Sequence, residues 1–337
     1  MNNLDELTLK VEKIIETGKS INSDIKYLNS SHARLIAQII SNYELKHTEE
    51  EKPSAEMIFI GAPTGAGKDT LVKKIMSDNQ DKKFIVLNMD MFRYYHGEIL
   101  DSSDTIKDKD FAVKTNQTSY ELYYIIQEIL LREFPGINVI VTGTMRDLDW
   151  IKEIFERYKK DEKTNYITSL ITLAVPINES AFSTIERYLN MVDARGNSDA
   201  PLRYTSLEYH NDTVKKFREN MRIFEEEFKL HPSNRLFNSI RVYRRTKDIM
   251  DLSEDTLVYD SNNNPEHKSA FEHIYNIMGT NASISNIRIY DVLKIIERND
   301  EYLRAQGLYT GVLEDLKNIL PQLNKKAECH DDPDIIN

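Results

Sequence analysis

The sequence predicts an α/β protein in which a parallel sheet is flanked by helices, with helical N- and C-terminal extensions. Short apolar runs recur along the chain, and helical patterns separate most of them. The run at 57–60 passes directly into a glycine-rich segment, which a further helical pattern follows. Strands that alternate with helices form parallel sheets that bind ligands at the C-terminal ends of the strands.

Six apolar runs are predicted to be strands. The first ends in glycines, which is typical of a buried strand that runs into a loop, and the last has the character of an edge strand. They lie at residues 57–60, 84–88, 139–141, 169–175, 240–243 and 257–259.

The chain is predicted to divide into three regions. Residues 1–50 have apolar positions at helical spacing, broken around 18–31, so two helices are expected there. This region either regulates the rest or is a helical extension packed on it. Residues 55–262 form the predicted α/β core, and residues 265–337 form a helical region that ends in a loose acidic tail.

The composition is that of an ordinary globular protein. Of the 337 residues, 29% are charged and 40% are hydrophobic, and the formal net charge is −11. This charge, without a long basic block, argues against nucleic acid as a main partner. The single cysteine, Cys329, excludes an internal disulfide, and no stretch reaches the roughly 18 apolar residues of a membrane span. A cytoplasmic protein without a membrane span is expected.

A phosphate-binding loop is predicted between the first strand and the helical run at 71–76. Glycines let backbone amides turn toward phosphate oxygens, the helix N-terminus adds a positive dipole, and Lys68 reaches the β- and γ-oxygens. ATP is the expected ligand and a P-loop kinase the expected fold; the other interpretation is a glycine-rich turn without a nucleotide. The segment comprises Gly61, Ala62, Pro63, Thr64, Gly65, Ala66, Gly67, Lys68, Asp69 and Thr70.

Two positions depart from the usual pattern of such loops. The glycine expected six residues before Lys68 is Ala62, and the Ser or Thr expected directly after it is Asp69. The usual hydroxyl ligand of Mg²⁺ is therefore missing, and Thr70 or Asp69 is predicted to bind the ion instead.

Asp90 is the predicted catalytic base. It follows the second predicted strand by two residues, which places its carboxylate at the C-terminal edge of the sheet, near the phosphates. A carboxylate there can accept the proton of an attacking hydroxyl in phosphoryl transfer. The competing interpretation is a helix N-cap, which is a common role of aspartate ahead of a helical turn.

Three arginines are candidates for phosphate contact. Arg146 follows the third strand, Arg187 lies in a helical pattern, and Arg203 lies in a loop before a new helix. Guanidinium groups bind phosphate oxygens in pairs and stabilise charge that develops in the transition state. Spacing alone favours solvated surface arginines at all three positions, so their selection rests on the resemblance described next.

These residues together resemble the zeta toxins, a family of bacterial P-loop kinases from toxin–antitoxin systems. The resemblance covers residues 55–262, and it includes a match of Asp90 to His96 to the family pattern Asp-x-Phe-Arg-x-x-His. It implies ATP-dependent phosphorylation of the 3′-hydroxyl of the sugar in UDP-N-acetylglucosamine or a related UDP-sugar, which blocks cell-wall synthesis. The matching segments lie in the family's order at 61–70, 89–96, 143–146, 174–176 followed by 183–188, and 258–261.

The resemblance also implies roles for individual residues. The phosphate loop is expected to bind ATP with Mg²⁺, and catalysis is expected from Lys68, Asp90, Arg187 and Arg203. The acceptor is expected to contact Asp90, Phe92, Arg93, His96, Glu121, Thr142, Thr144 and Arg146.

The acceptor side departs from the family pattern. One family glutamate is replaced by Thr142, and a second aligns with Tyr123, with Glu121 nearby as a replacement. The kinase chemistry is therefore better supported than the identity of the sugar nucleotide.

Two other functions stay open at this point. One is a nucleotide-binding regulatory protein without turnover, suggested by Asp69, Thr142 and Tyr123. The other is a kinase that acts on an antibiotic or another small hydroxyl compound. The resemblance further implies a helical antitoxin as partner, or inhibitory helices in the same chain, for which residues 1–50 are the candidates.

Overall fold

The six predicted strands are confirmed and form one sheet. The computed structural model describes residues 3–21, 25–43, 45, 52–100, 106–196, 201–245, 256–263 and 269–320; Cys329 and the predicted acidic tail lie outside them. Within this part of the chain the strands are β1 (Ser54–Gly61), β2 (Phe84–Asn88), β3 (Asn138–Gly143), β4 (Asn165–Ala174), β5 (Ser239–Arg244) and β6 (Leu257–Asp260).

The sheet is parallel except at one edge. Its order is β2-β3-β1-β4-β5-β6. The pairs among the strands β1 to β5 are parallel. Strand β6 lies at the edge, as its sequence predicts, and pairs antiparallel with β5, which was not predicted.

Helices pack on the sheet and extend it at both ends of the chain. Those that the structure describes are α1 (Asn3–Ile21), α2 (Ala33–Ser41), α3 (Lys68–Asp78), α4 (Met89–Phe92), α5 (His96–Leu100), α6 (Asp108–Lys114), α7 (Asn116–Glu133), α8 (Leu148–Lys159), α9 (Ile177–Ala194), α10 (Leu207–Leu230), α11 (Ala270–Met278), α12 (Asn286–Arg298), α13 (Asp300–Ala305) and α14 (Tyr309–Ile319). Within the described residues, none of these helices combines the length and the apolar character that crossing a membrane requires.

The sheet is buried on both faces, which is why its strands appear as continuous apolar runs in the sequence. Phe59 of β1 packs in a large cluster with α7, α8, α10 and α11. Its neighbours Ile58 and Ile60 pack in a second cluster, on the opposite face, with α3. A third cluster joins α9 to the C-terminal helices α12, α13 and α14.

The strand register brings the C-terminal ends of β1, β2 and β3 together. Ile60 of β1 and Asn88 of β2 are both in register with Thr142 of β3. Gly61 of β1 is in register with Gly143. The phosphate loop and the turns after β2 and β3 therefore leave the sheet at one edge, where ligands of open α/β sheets bind.

The N-terminal helices belong to the main core. Helices α1 and α2 pack on each other and on α7. The predicted break at 18–31 begins too early, because Gly18 lies inside α1, which continues to Ile21. A Cβ at Gly18 would lie 3.2 Å from Cδ1 of Ile125 in α7, so the absent side chain allows close packing of the two helices.

A buried carboxylate joins α10 to the start of α11. Glu225 accepts hydrogen bonds from the hydroxyl of Ser269 at 2.7 Å and from the amides of Ala270 at 3.0 Å and Phe271 at 2.8 Å. Its side chain is only 5% exposed and pairs with Lys229. Burial alone would raise the pKa of Glu225, but the hydrogen bonds from Lys229, Phe271 and Ser269 outweigh it and hold that pKa below its ordinary value.

Replacing Glu225 with alanine should lower the free energy of unfolding by about 2–4 kcal/mol, because the helix amides lose a charged acceptor and stay buried. Because the folded pKa is depressed, this stabilisation is present above the unfolded pKa and is lost as the pH falls through the folded pKa. Denaturant unfolding at pH 7 and in acid measures both effects.

The matched control is Glu226→Ala on the same helix, where an exposed carboxylate pairs with Arg222. Its effect should stay within about 0.5 kcal/mol. Equal effects of the two substitutions would contradict the assigned role of Glu225.

Candidate active site

Most of the predicted site residues meet in one large cleft at the C-terminal edge of the sheet. The cleft has a volume of about 1570 Å³ and contains residues of the phosphate loop and of the turns after β2 and β3. Of the residues predicted to take part, it is lined by Thr64, Gly65, Gly67, Lys68, Asp69, Thr70, Asp90, Arg93, Thr142, Thr144, Arg146, Arg187 and Arg203.

The phosphate loop presents unpaired backbone donors. In the described part of the chain, the amides of Gly65, Gly67, Lys68 and Asp69 have no hydrogen-bond acceptor. The hydroxyl of Thr64 is also buried without a partner. A buried hydroxyl without a partner is costly, and an anion at the start of a helix can accept hydrogen bonds from it and from the loop amides. The loop therefore fits the phosphates of a nucleotide, and the interpretation as a turn without a nucleotide is the weaker one.

The backbone of the loop requires glycine at two positions. Gly65 has φ 74° and Gly67 has φ 99°, both in the left-handed region. Gly65 also lies against α9, since a Cβ there would come within 2.0 Å of the carbonyl oxygen of Ser180. Arg245, directly after β5, donates to the carbonyl of Gly65 at 2.9 Å and pairs with Glu179 of α9 at 3.4 Å, so it joins the loop to that helix.

Lys68 lies over its own loop. Its Nζ donates to the carbonyl oxygens of Ala62 at 2.8 Å and Pro63 at 3.0 Å. Burial and the nearby Arg187 lower the pKa of Lys68 to about 7, although Asp69 opposes the shift. Phosphate oxygens in the cleft would favour the charged form, so nucleotide binding and protonation of this lysine are linked.

Asp90 lies in the first turn of α4 with its side chain 44% exposed, and it lines the cleft. The N-cap of α4 is Asn88, whose Oδ1 accepts from the amide of Asp90 at 3.0 Å. The N-cap interpretation of Asp90 is therefore wrong. Its carboxylate is not used to cap the helix.

Two guanidinium groups hold the carboxylate of Asp90. The Nε of Arg93 donates to Oδ1 at 2.8 Å, and Nη1 of Arg203 contacts Oδ2. Arg93 is buried, and its remaining nitrogens donate to the carbonyl of Ala112 at 2.7 Å and to Asn116 at 3.2 Å. The guanidinium of Arg93 is thus fully engaged in bonds within the protein. Arg93 was predicted to contact the acceptor, but in the structure it positions Asp90.

Arg203 and Arg187, both predicted to contact phosphate, differ in burial. Arg203 is 13% exposed, and its Nε is buried without a partner among the described residues. Burial lowers the pKa of Arg203. Arg187 is exposed on α9, in the wall of the cleft. Both arginines contribute to the lowered pKa of Lys68, which places all three cations in one region.

Arg146 lies in the turn after β3 and is held in place by residues of α10. Its Nη2 pairs with Asp212 at 2.8 Å, and its guanidinium lies 4.6 Å from the ring centroid of Tyr209. Met145 has φ 56°, a strained value for a residue with a side chain, and Nδ2 of Asn220 donates to its carbonyl at 2.7 Å. Helix α10 therefore fixes the conformation of this turn.

Comparison with protein families decides the relationship of this chain. The family model described as Zeta toxin matches residues 41–264, more than half of the chain. The chain belongs to the zeta toxin family. This confirms the predicted resemblance, and it makes the chain a toxin-type kinase, a phosphotransferase.

One solved structure shows the same fold, and two others are less similar. A structure of the PezAT chromosomal toxin–antitoxin system of Streptococcus pneumoniae matches with a TM-score of 0.58 and 22% identity, over 81% of this chain and 98% of that chain. The AvrRxo1-ORF1:-ORF2 complex with ATP matches with a TM-score of 0.48 and 13% identity, over 84% and 88% of the two chains. A putative kinase from Chloroflexus aurantiacus matches with a TM-score of 0.34 and 15% identity, over 48% and 78%. Comparison with curated proteins gives no significant sequence match.

Three acceptor residues predicted from the zeta toxin resemblance do not line the cleft. Phe92 is 3% exposed and packs in the main core. His96 is buried against the hydroxyl of Thr118 at 2.9 Å, and burial lowers its pKa. Glu121 is fully buried and accepts from the backbone amides of residues 26–28, among them that of Leu28 at 2.9 Å. These three predictions are corrected, because the side chains face the core or the N-terminal segment.

Other cleft residues of this zeta toxin were not predicted. Helix α7 contributes Asn116, Gln117 and Tyr120, and α8 contributes Trp150 and Glu153. Arg245 was recognisable only as part of a short basic group at 241–245. Tyr123, which aligns with a family glutamate, is fully buried with its ring centroid 5.6 Å from that of Trp150. An aromatic core contact therefore replaces an acidic group there.

The lowered pKa of Lys68 predicts selective chemical labelling. At pH 7 about half of an amine with a pKa of about 7 is neutral, against about one in three thousand for an ordinary lysine. Reductive methylation should therefore modify Lys68 at least about tenfold faster than Lys73, which is exposed on the same helix. Mass spectrometry of the peptides measures the rates, and ATP should protect Lys68. Equal rates for the two lysines would contradict the assigned environment.

Proposed function

We propose that this chain transfers the terminal phosphoryl group of ATP to a hydroxyl of a UDP-activated sugar, with the 3′-hydroxyl of UDP-N-acetylglucosamine as the first candidate. The observation that carries the proposal is the shared cleft of Asp90 and Lys68, in which two guanidinium groups hold the carboxylate. Such a cleft can bind a polyanion and a neutral hydroxyl side by side.

The proposed chemistry uses four side chains. Asp90 takes the proton of the sugar hydroxyl. The oxygen of that hydroxyl bonds to the terminal phosphorus of ATP, and ADP leaves. An ionised carboxylate has about four acceptor sites, so the bonds to Arg93 and Arg203 leave room for the hydroxyl. Lys68 and Arg203, with Arg187, neutralise charge on the transferring group.

Mg²⁺ is proposed to bind beside the phosphate loop. Within the described residues, no group of three or more His, Cys, Asp or Glu side chains is placed to hold a metal. Mg²⁺ in kinase sites needs only one or two protein ligands besides phosphate oxygens and water. Thr70 and Asp69, which both line the cleft, fit that requirement. The ion would shield the charge of the phosphates.

The acceptor half of the cleft suits a sugar nucleotide. Tyr120 and Trp150 line it with aromatic rings, and Asn116 and Gln117 line it with amide groups. The oxygen of Asn116 accepts from Arg93, and the nitrogen of Gln117 donates to Glu121. Aromatic surfaces beside a few convergent polar groups are typical of sites for bases and sugars. Thr142 supplies a hydroxyl where the zeta toxin pattern has a glutamate. A related UDP-sugar is therefore proposed as the second candidate.

A helical antitoxin that covers the ATP side of the cleft is proposed as a partner, in line with family membership. Among the described residues, α1 and α2 do not line the cleft, which argues against their acting as inhibitory helices of the same chain. The cytoplasm is the proposed compartment, where UDP-sugars would be available to a toxin of this kind.

Replacing Asp90 with asparagine should lower the rate of sugar phosphorylation about 10²- to 10⁴-fold, the usual contribution of a general base. The amide keeps the shape of the side chain, so the affinity for a non-hydrolysable ATP analogue should change little. Turnover with ATP, Mg²⁺ and UDP-N-acetylglucosamine is followed by mass spectrometry of the product. Asp78→Asn, at an exposed carboxylate on α3 that pairs with Lys74, is the control and should retain full activity.

The same assay separates the other two functions. Tight binding of the ATP analogue with no phosphorylated product from any UDP-sugar would support a regulatory protein without turnover. Turnover with a small hydroxyl compound but with no UDP-sugar would support a kinase of another substrate class, and protection rather than arrest of growth on expression would agree with it.

A further inference from the structure

The loop that carries Arg203 is anchored by helices that lie beyond the family match. The Zeta toxin model ends at residue 264, whereas α13 and α14 lie at 300–319. We propose that α13 and α14 position Arg203 for its phosphate contact, acting through two carboxylates, Asp108 and Asp315. The proposal rests on the proposed role of Arg203 in ATP binding.

Asp315 of α14 holds the C-terminal side of the loop. Its Oδ2 accepts from the hydroxyl of Tyr204 at 2.5 Å and from the amide of Leu207 at 2.9 Å. One carboxylate oxygen thus fixes the residue directly after Arg203 and the first residue of α10. Burial and the bond to Asp315 raise the pKa of Tyr204 well above its ordinary value, so its hydroxyl remains a donor.

Asp108 of α6 holds the N-terminal side of the loop. It is 1% exposed, and its Oδ1 accepts from the amide of Leu202 at 2.8 Å. Its Oδ2 accepts from the hydroxyls of Tyr188 at 2.7 Å and Tyr302 at 2.6 Å. A further bond links Asp108 to the end of α13, because the amide of Asp108 donates to Oε1 of Gln306, the C-cap of that helix, at 3.0 Å.

Arg203 therefore lies between two anchored neighbours, Leu202 and Tyr204. Loop residues move freely unless other groups hold them, and phosphoryl transfer tolerates little misplacement of a charged ligand. The two carboxylates do not line the cleft. They act on the reaction through Arg203 and are positioning residues.

A double-mutant cycle tests this coupling in the full chain. The dissociation constant of a non-hydrolysable ATP analogue is measured for the wild type, Arg203→Ala, Asp315→Ala and the double variant. Arg203→Ala should weaken binding about tenfold or more, and Asp315→Ala about fivefold. Because Asp315 acts through Arg203, the double variant should bind no more weakly than Arg203→Ala alone. Glu314→Ala, an exposed neighbour on α14, is the control and should bind as the wild type.

Independent, multiplying effects of the two substitutions would overturn the proposal, as would wild-type affinity of either single variant. If Asp315→Ala fails to fold, Tyr204→Phe replaces it in the cycle, because it removes only the hydroxyl that bonds to Asp315. Tyr302→Phe tests the Asp108 side in the same way and should weaken binding about threefold, with no further loss in the Arg203→Ala background.

Turnover with UDP-sugars, measured on the same proteins, separates this inference from the proposed function. If the substitutions of Arg203 and Asp315 have coupled effects on nucleotide affinity but no sugar is phosphorylated, the proposed UDP-sugar acceptor is wrong and the positioning role stands. Sugar phosphorylation with independent effects on affinity would reject the positioning role and keep the acceptor.

Discussion

The site depends on holding several cations together before a nucleotide arrives. Lys68, Arg187 and Arg203 share one region of the cleft, and the lowered pKa of Lys68 records both its burial and the repulsion from the two arginines. Only Asp90 among the proposed catalytic groups offsets this charge directly, through its pair with Arg203. The surrounding structure must supply the free energy that keeps the cations in place, and phosphate groups then reduce the repulsion.

That support comes from parts of the chain that are distant in sequence. Arg93 fixes Asp90 while anchored on the carbonyl of Ala112. Arg245 supports the phosphate loop at Gly65, and α9 packs against the same glycine. The C-terminal helices reach the loop of Arg203. The α/β core and the C-terminal helices therefore both hold the cationic side chains in position.

The sequence was informative wherever burial or backbone geometry left a local trace. Strands buried on both faces appear as apolar runs, and a loop that needs left-handed residues shows its glycines, so the sheet and the phosphate loop could be predicted. Side-chain direction left no such trace. Phe92 and His96 lie in the same motif as Asp90 yet face the core, because consecutive short turns rotate their side chains away from the cleft.

Long-range partners were equally invisible from sequence. The acceptor role predicted for Glu121 failed because its carboxylate binds amides that lie 93–95 positions away. Asp315 and Tyr204 are separated by 111 positions, and nothing in either local sequence indicates the other. Tertiary contacts of this kind need a fold before they can be seen.

The contact between Gly65 and α9 limits which amino-acid substitutions this loop can accept during evolution. The nearest obstacle to a side chain at 65 is a main-chain carbonyl, at residue 180, rather than another side chain. A second mutation can shorten a side chain, but it cannot remove a carbonyl. The position therefore has no compensating partner, and descendants of this chain keep glycine there or move the whole helix.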